Sequence, residues 1–156
     1  MDKKSTFEEV LKRDGRLIYK NVGVSMLPLL RENKDIMVIE SITSALKKYD
    51  AVLFRRNGVT GRGKYVLHRI LKILPDNKYF IAGDNCTSGE TVEREQILGV
   101  LTSVFRDEKQ IDFNSLKYKI YVRLWCAPYH LRFMVLAVRR SMIYLIGGIR
   151  HKLTGK

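Results

Sequence analysis

Acidic residues are missing from the end of the chain: from Asn114 to Lys156 there is no Asp or Glu, against nine basic residues. A segment of that kind cannot neutralise itself and favours an anionic partner, either lipid headgroups or nucleic acid. Cysteine is scarce as well. Cys86 and Cys126 stand far apart and match no metal-ligand spacing, which argues against a disulfide framework and a zinc site. No cofactor is expected. The N-terminus, Met1-Asp-Lys-Lys-Ser-Thr-Phe-Glu-Glu, lacks an apolar run, so neither a signal peptide nor an N-terminal anchor is expected. The longest uncharged runs of the basic segment, Leu124–Leu131 and Ser141–Ile149, fall far short of the roughly 18 apolar residues that span a bilayer. There is no internal repeat.

What remains is ordinary globular material. The 156 residues are 46% hydrophobic and 29% charged, enough for one real core. The formal charge of +13 is concentrated at the end, because the first 113 residues are nearly balanced. This divides the chain into a β-rich domain over residues 1–113 and a basic amphipathic helical segment over residues 114–156.

Local patterning fills in the first part. Ser5-Thr-Phe-Glu8 reads as a capping box, Phe7, Val10 and Leu11 share a helical face, and Gly15 stops the helix. The runs Leu17–Val22, Asp35–Glu40, Ala51–Arg56, Tyr65–Leu74, Lys78–Ala82 and Ile97–Arg106 are short, β-branched or aromatic, and predict strands. Arg31-Glu-Asn-Lys, Asn57-Gly58, Gly61-Arg-Gly63, Pro75-Asp-Asn77 and Gly83-Asp-Asn85 supply the turns between them. Beyond Ser115, Leu116–Trp125 and Leu131–Ile149 predict two helices broken at Ala127-Pro128.

Three short segments carry candidate chemistry. In Asn21-Val-Gly-Val-Ser-Met-Leu-Pro28 a serine ends an apolar strand just before a turn, beside backbone N–H groups able to stabilise an oxyanion. Ser25 is therefore a candidate nucleophile, or simply a turn cap. Its hydroxyl needs a base. Of three histidines, His130 and His151 lie in the basic segment, whereas His68 shares a strand face with Val66 and Ile70, where burial favours the neutral, proton-accepting form. In Ile81-Ala-Gly-Asp-Asn85, Asp84 either closes a turn or orients His68 as a third catalytic member.

In order and spacing these segments resemble the LexA/signal-peptidase superfamily of serine peptidases. Gly23-Val-Ser-Met-Leu-Pro resembles the nucleophile box, and Lys34-Asp-Ile-Met-Val and Tyr49-Asp-Ala-Val-Leu-Phe resemble two strand starts. Val66-Leu-His-Arg-Ile resembles the base box in its histidine form, and Gly83-Asp-Asn85 followed by Ile97-Leu-Gly-Val resembles the closing box and last strand. The likeness runs from Val22 to Val104. Lys34 and Tyr49 replace family glycines, so those turns are expected to adopt other geometries. After Gly83-Asp-Asn85 the chain reads Cys-Thr-Ser-Gly-Glu, which leaves Asp84 as the matching acid and Glu90 as a more distant second.

The resemblance implies a mostly β fold of coiled antiparallel sheets and a serine endopeptidase that hydrolyses a leader or signal-like peptide. Ser25 would be the nucleophile, His68 the base and Asp84 its support. Gly23 and Met26 would lie at the substrate and oxyanion positions, with the Ser25 N–H as oxyanion donor. The substrate would be a polypeptide added as an extended strand. The alternative is a non-catalytic peptide- or membrane-binding module on the same scaffold. LexA-type self-cleavage is disfavoured, since it uses lysine and an upstream DNA-binding domain, and only 24 residues precede Ser25.

The basic segment is expected to lie on an anionic membrane surface, peripherally and on the cytoplasmic side; the alternative is a helical hairpin packed on the β domain with its basic side exposed. Arg123, Arg132, Arg139, Arg140 and Arg150 would snorkel among Tyr118, Tyr121, Trp125, Tyr129, Phe133 and Tyr144 at headgroup level. No recognition motif accompanies a nucleic-acid reading.

Overall fold

The computed structural model describes residues 6–60 and 64–154. Helix α1 (Phe7–Asp14) is capped by Thr6, whose Oγ1 accepts from Glu9 N at 3.2 Å while Glu9 returns a carboxylate to Thr6 N at 2.8 Å. The capping box thus sits one residue later than expected. Ser5 lies outside the described residues, and Glu8 accepts instead from Arg55 at 3.0 Å and from the Tyr65 hydroxyl. Gly15 closes the helix in the left-handed region, at φ 69°.

Eight strands follow: β1 (Arg16–Lys20), β2 (Ile36–Ser41), β3 (Ala51–Arg55), β4 (Tyr65–Leu74), β5 (Lys78–Ala82), β6 (Glu90–Glu93), β7 (Ile97–Arg106) and β8 (Lys109–Gln110). They form one sheet in the order β1-β2-β7-β3-β4-β5-β6, with β8 on β7, and every pairing is antiparallel. The described part of the chain is mostly antiparallel β. Register shifts at Val38/Ile39, Leu53/Phe54 and Ile70/Lys72 mark bulges, which bend and twist a sheet.

Strand β3 shows how the sheet buries both faces. Leu53 packs with Met26, Met37 and Leu67, whereas Val52 and Phe54 pack with Ile70, Ile81 and Val92. A continuous apolar run, Ala51-Val-Leu-Phe54, is what a strand covered on both sides requires. The β4–β5 hairpin turns through Asp76 and Asn77 at φ 56° and 54°, values that short polar side chains tolerate. At the two strand starts where glycine was missing, Tyr49 takes the left-handed φ that glycine would supply, 77°, whereas Lys34 does not. The predicted turn Gly61-Arg-Gly63 lies outside the described residues.

The basic segment folds as α2 (Leu116–Tyr121), a π turn over Val122–Cys126, and α3 (Tyr129–Thr154). Ala127 N donates to Val122 O at 2.8 Å, and Pro128, without a donor to lose, offers its carbonyl to Arg132 N at 3.0 Å. Helix α3 therefore starts earlier than Leu131. This segment docks on the sheet. Cys126, Tyr129, Arg132 and Leu136 are buried, and Tyr129 and Phe133 pack against Leu71, Phe80 and Ala82. From Ala137 to Ile146 every residue of α3 is exposed.

Candidate active site

Beyond β1 the chain leaves the sheet at Asn21, which is buried and held by Asp35 O and by Asn33 N. Gly23 then turns at φ 99°, and its N–H donates to Glu32 Oε1 at 3.0 Å. That bond occupies the Gly23 donor, so Gly23 shapes the approach to Ser25 without serving the oxyanion. Ser25 opens a turn rather than a helix, with Leu27 N bonded to Val24 O and Leu30 N to Met26 O. Among the described residues the Ser25 and Met26 N–H groups have no acceptor, which leaves donors free beside the hydroxyl. Met26 is 2% exposed and belongs to the core, where it forms the inner wall of the cleft rather than an open pocket.

A cleft of about 730 Å³ is lined by both Ser25 and His68, together with Tyr19, Leu53, Tyr65 and Cys86. The loop after β5 meets the Ser25 turn there: Asn85 N donates to Ser25 O at 2.8 Å and Asn85 Nδ2 to Val24 O at 3.1 Å. Gly83 marks the point of closest approach. A Cβ at this position would stand 2.5 Å from Ser25 O, 2.7 Å from Cys86 Sγ and 3.1 Å from His68 Cδ2. Among the described residues no direct hydrogen bond joins the Ser25 hydroxyl to His68; catalytic bonds of this type often tighten only with substrate bound.

His68 is 6% exposed, with its two nitrogens facing different neighbours. Nε2 lies 3.9 Å from Cys86 Sγ, and Nδ1 lies 3.6 Å from Glu90 Oε1, a charge contact just beyond hydrogen-bond length. Burial pushes the His68 pKa down, but the Cys86 thiol and the Glu90 carboxylate outweigh it and the net direction is upward. The expected effect of burial alone, a neutral ring, is thus reversed by its neighbours. Glu90 is held by His68 and by Arg56, which donates to both carboxylate oxygens, and these contacts lower its pKa to about 2 against the opposing effect of burial. Glu90 stays ionised wherever His68 titrates.

Asp84 does not support His68. It is wholly buried and takes a bidentate pair from Arg69, 2.9 Å to Oδ1 and 2.7 Å to Oδ2. The Tyr121 hydroxyl donates to Oδ2 at 2.5 Å, Trp125 Nε1 donates to Asp84 O at 2.9 Å, and Arg132 stands 3.7 Å from Oδ1. Asp84 is therefore a tie between the closing loop and the helices. The same contacts correct the expectation for the aromatic and basic side chains. Tyr118 and Tyr121 reach into the Arg69–Asp84 pair, Tyr129 and Arg132 are buried, and Arg140 binds Asn85 O at 2.9 Å, so these are not free for headgroups.

Sequence reasoning missed two groups. Cys86 directly follows the Gly83-Asp-Asn85 turn, and that adjacency was its only signal. Arg56, directly after β3, had none. The site thus offers a hydroxyl, a buried imidazole backed by an ionised carboxylate, and unengaged backbone donors. Among the described residues no three His, Cys, Asp or Glu side chains are grouped as metal ligands would be. No family model matches the chain, and no curated protein matches it.

Proposed function

We propose that this chain is a serine endopeptidase of the LexA/signal-peptidase type that cleaves leader or signal-like peptides. Ser25 attacks the scissile carbonyl while His68 takes its proton and later passes one to the leaving amine. Glu90, rather than Asp84, stabilises the imidazolium, and the Ser25 and Met26 N–H groups receive the oxyanion. The observation that supports the reading is that Ser25 and His68 both line one cleft, in a sheet whose end strand β1 leads toward Ser25. An extended polypeptide pairing with that end strand would lay its backbone along the cleft past Tyr19. The coiled sheet of the superfamily is the architecture this reading requires, and the one antiparallel sheet with its bulges fits it.

The same reading places the protein peripherally on an anionic membrane, cytoplasmic side, through the exposed part of α3. No helix among the described residues is long and apolar enough to cross a membrane. Ser25→Ala tests the chemistry. The variant should keep its circular dichroism and lose all cleavage of a leader peptide carrying small residues before the scissile bond. Cleavage at the wild-type rate would end the proposal.

A further inference from the structure

Cys86 stands where the candidate base, the closing loop and α3 meet. Its Sγ is 3.9 Å from His68 Nε2, and its backbone is fixed by Cys86 N donating to Gly83 O at 3.1 Å. On the outer side the thiol opens into a small pocket of about 330 Å³ walled by Arg56, Thr87, Glu90 and Arg140. The imidazole behind it is 6% exposed and its Nδ1 has no hydrogen-bond partner. The nitrogen facing the thiol is Nε2, while Nδ1 is turned toward Glu90 at 3.6 Å, so a proton passed from the thiol to Nε2 leaves an imidazolium backed by a carboxylate.

The charged groups around Cys86 come from every element packed on it: His68 from β4, Arg56 from the residue after β3, Glu90 from β6 and Arg140 from α3. Arg56 already occupies both Glu90 oxygens, so the pocket as a whole is electropositive. Such surroundings favour the thiolate, which is the reacting form. Burial works against it, yet His68 and Arg140 carry the Cys86 pKa below that of a free thiol. Cys126 is the internal contrast. It is fully buried 3.7 Å from Asp84 Oδ1, and burial pushes its thiol up to about 11.

We infer that Cys86 is a thiol-modification site that exchanges with small acidic disulfides and thereby blocks His68. The thiolate attacks one sulfur of the disulfide, the Cys86–S bond forms as the original S–S bond breaks, and the departing thiolate takes the proton held on His68. Cys86 is oxidised to a mixed disulfide, half of the reagent leaves as a reduced thiol, and excess thiol reverses the exchange. Arg140, the pocket arginine not paired with a carboxylate among the described residues, selects the acidic reagent. The attached group stands against Nε2, on the side from which Ser25 must be reached; this last consequence rests on the peptidase reading, whereas the thiol chemistry does not.

The full chain treated with oxidised glutathione, followed by intact mass and peptide mapping, should give one adduct, on Cys86, removed by dithiothreitol. Cystamine, a cationic disulfide, should react at least severalfold more slowly, and Arg140→Gln should narrow that gap. The rate of Cys86 alkylation against pH should have its midpoint below the ordinary thiol value of about 8.5, and both His68→Gln and His68→Ala should move it upward. A Cys86 midpoint at the ordinary value and unmoved by either substitution overturns the site. Cys86→Ser should form no adduct, and whatever rate of peptide cleavage it has should be the same with and without oxidised glutathione. An adduct on Cys86 with cleavage undiminished overturns the block. An adduct formed as described on a protein that never cleaves peptide leaves the thiol site standing and removes the peptidase.

Discussion

Asp84 closes on Arg69, one residue along the chain from His68, and both side chains of that pair have no exposure at all. Successive residues of a strand point to opposite faces, so a carboxylate that meets Arg69 is carried away from His68. The strand that presents the base to the cleft presents its anchor to the helices. Glu90, from the far edge of the sheet, fills the place beside the imidazole.

Removing the Asp84 charge should therefore damage the fold more than the chemistry. Asp84→Asn leaves Arg69 and Arg132 buried without their counter-ion, and breaking a buried pair in this way costs about 3–5 kcal/mol. Urea unfolding should show a loss of that order. Burial opposes ionisation, but Arg69, Tyr121 and Arg132 hold the Asp84 pKa below its usual range. Its contribution is thus complete above the unfolded value of about 3.9 and disappears as pH falls through the lower folded value. The stability gap between wild type and variant should close in acid; a gap unchanged down to strongly acidic pH would contradict the assignment.

Glu90→Gln should act on the chemistry instead. Cleavage by the wild type should fail on the acid side as His68 gains its proton, at a pH above the ordinary histidine value of about 6.5, because Cys86 and Glu90 raise its pKa against burial. Without the carboxylate the imidazolium is less favoured, so the acid limb of kcat/KM should move to lower pH. The plateau should fall by roughly tenfold to a hundredfold, a part of what general-base catalysis contributes. An acid limb that stays in place would remove Glu90 from the mechanism.

Gly83 is the position where a single methyl group disturbs both loops. The added Cβ of Gly83→Ala would press on the Ser25 carbonyl oxygen at 2.5 Å, and that oxygen is fixed by Asn85 N. Overpacking of this kind costs about 1–3 kcal/mol. Displacing the nucleophile turn by about 1 Å would reduce turnover by roughly a hundredfold. Steady-state kinetics with a urea midpoint measure both effects, and wild-type kinetics in this variant would mean that the loops do not meet as described.

How far these features can be read from the residues depends on what marks them. Strands β4, β5 and β7 were legible to the residue, because β-branched and aromatic runs end at Pro75-Asp-Asn77 and similar turns. Strand β6 was not. Glu-Thr-Val-Glu has one apolar residue, Val92, and is a strand through its pairing with β5. Ser25 and His68 stood out as candidates through the order and spacing of the boxes that hold them, but the neighbour of His68 did not. The match of Gly83-Asp-Asn85 to the closing box favoured Asp84 over Glu90, whereas the face of β4 on which each side chain emerges decides which of them lies beside His68. The docking of α2 and α3 was open as the alternative to a membrane surface, but its contacts were not legible: an arginine such as Arg132 reads as solvated until its burial against Gly83 O and Asp84 is seen.

The exposed end of α3 bears the remaining prediction. Val138, Met142, Ile143, Leu145 and Ile146 are each more than half exposed, and among the described residues nothing covers them from Ala137 onward. A helix apolar around most of its circumference is unfavourable in water and suited to a lipid interface. Met142, Ile143 and Ile146 lie within one turn of each other, with Arg139 one turn before them, so apolar insertion and contact with anionic headgroups reinforce one another. Each well-placed basic residue adds about 1 kcal/mol, which salt weakens. Cosedimentation with phosphatidylserine-containing vesicles should therefore exceed that with phosphatidylcholine alone and decline with salt. Ile143→Asp combined with Ile146→Asp should abolish it, while the thermal transition stays in place because neither side chain packs against the domain. Binding that survives the double substitution would assign the attraction to charge alone and leave this apolar face without a role at the membrane.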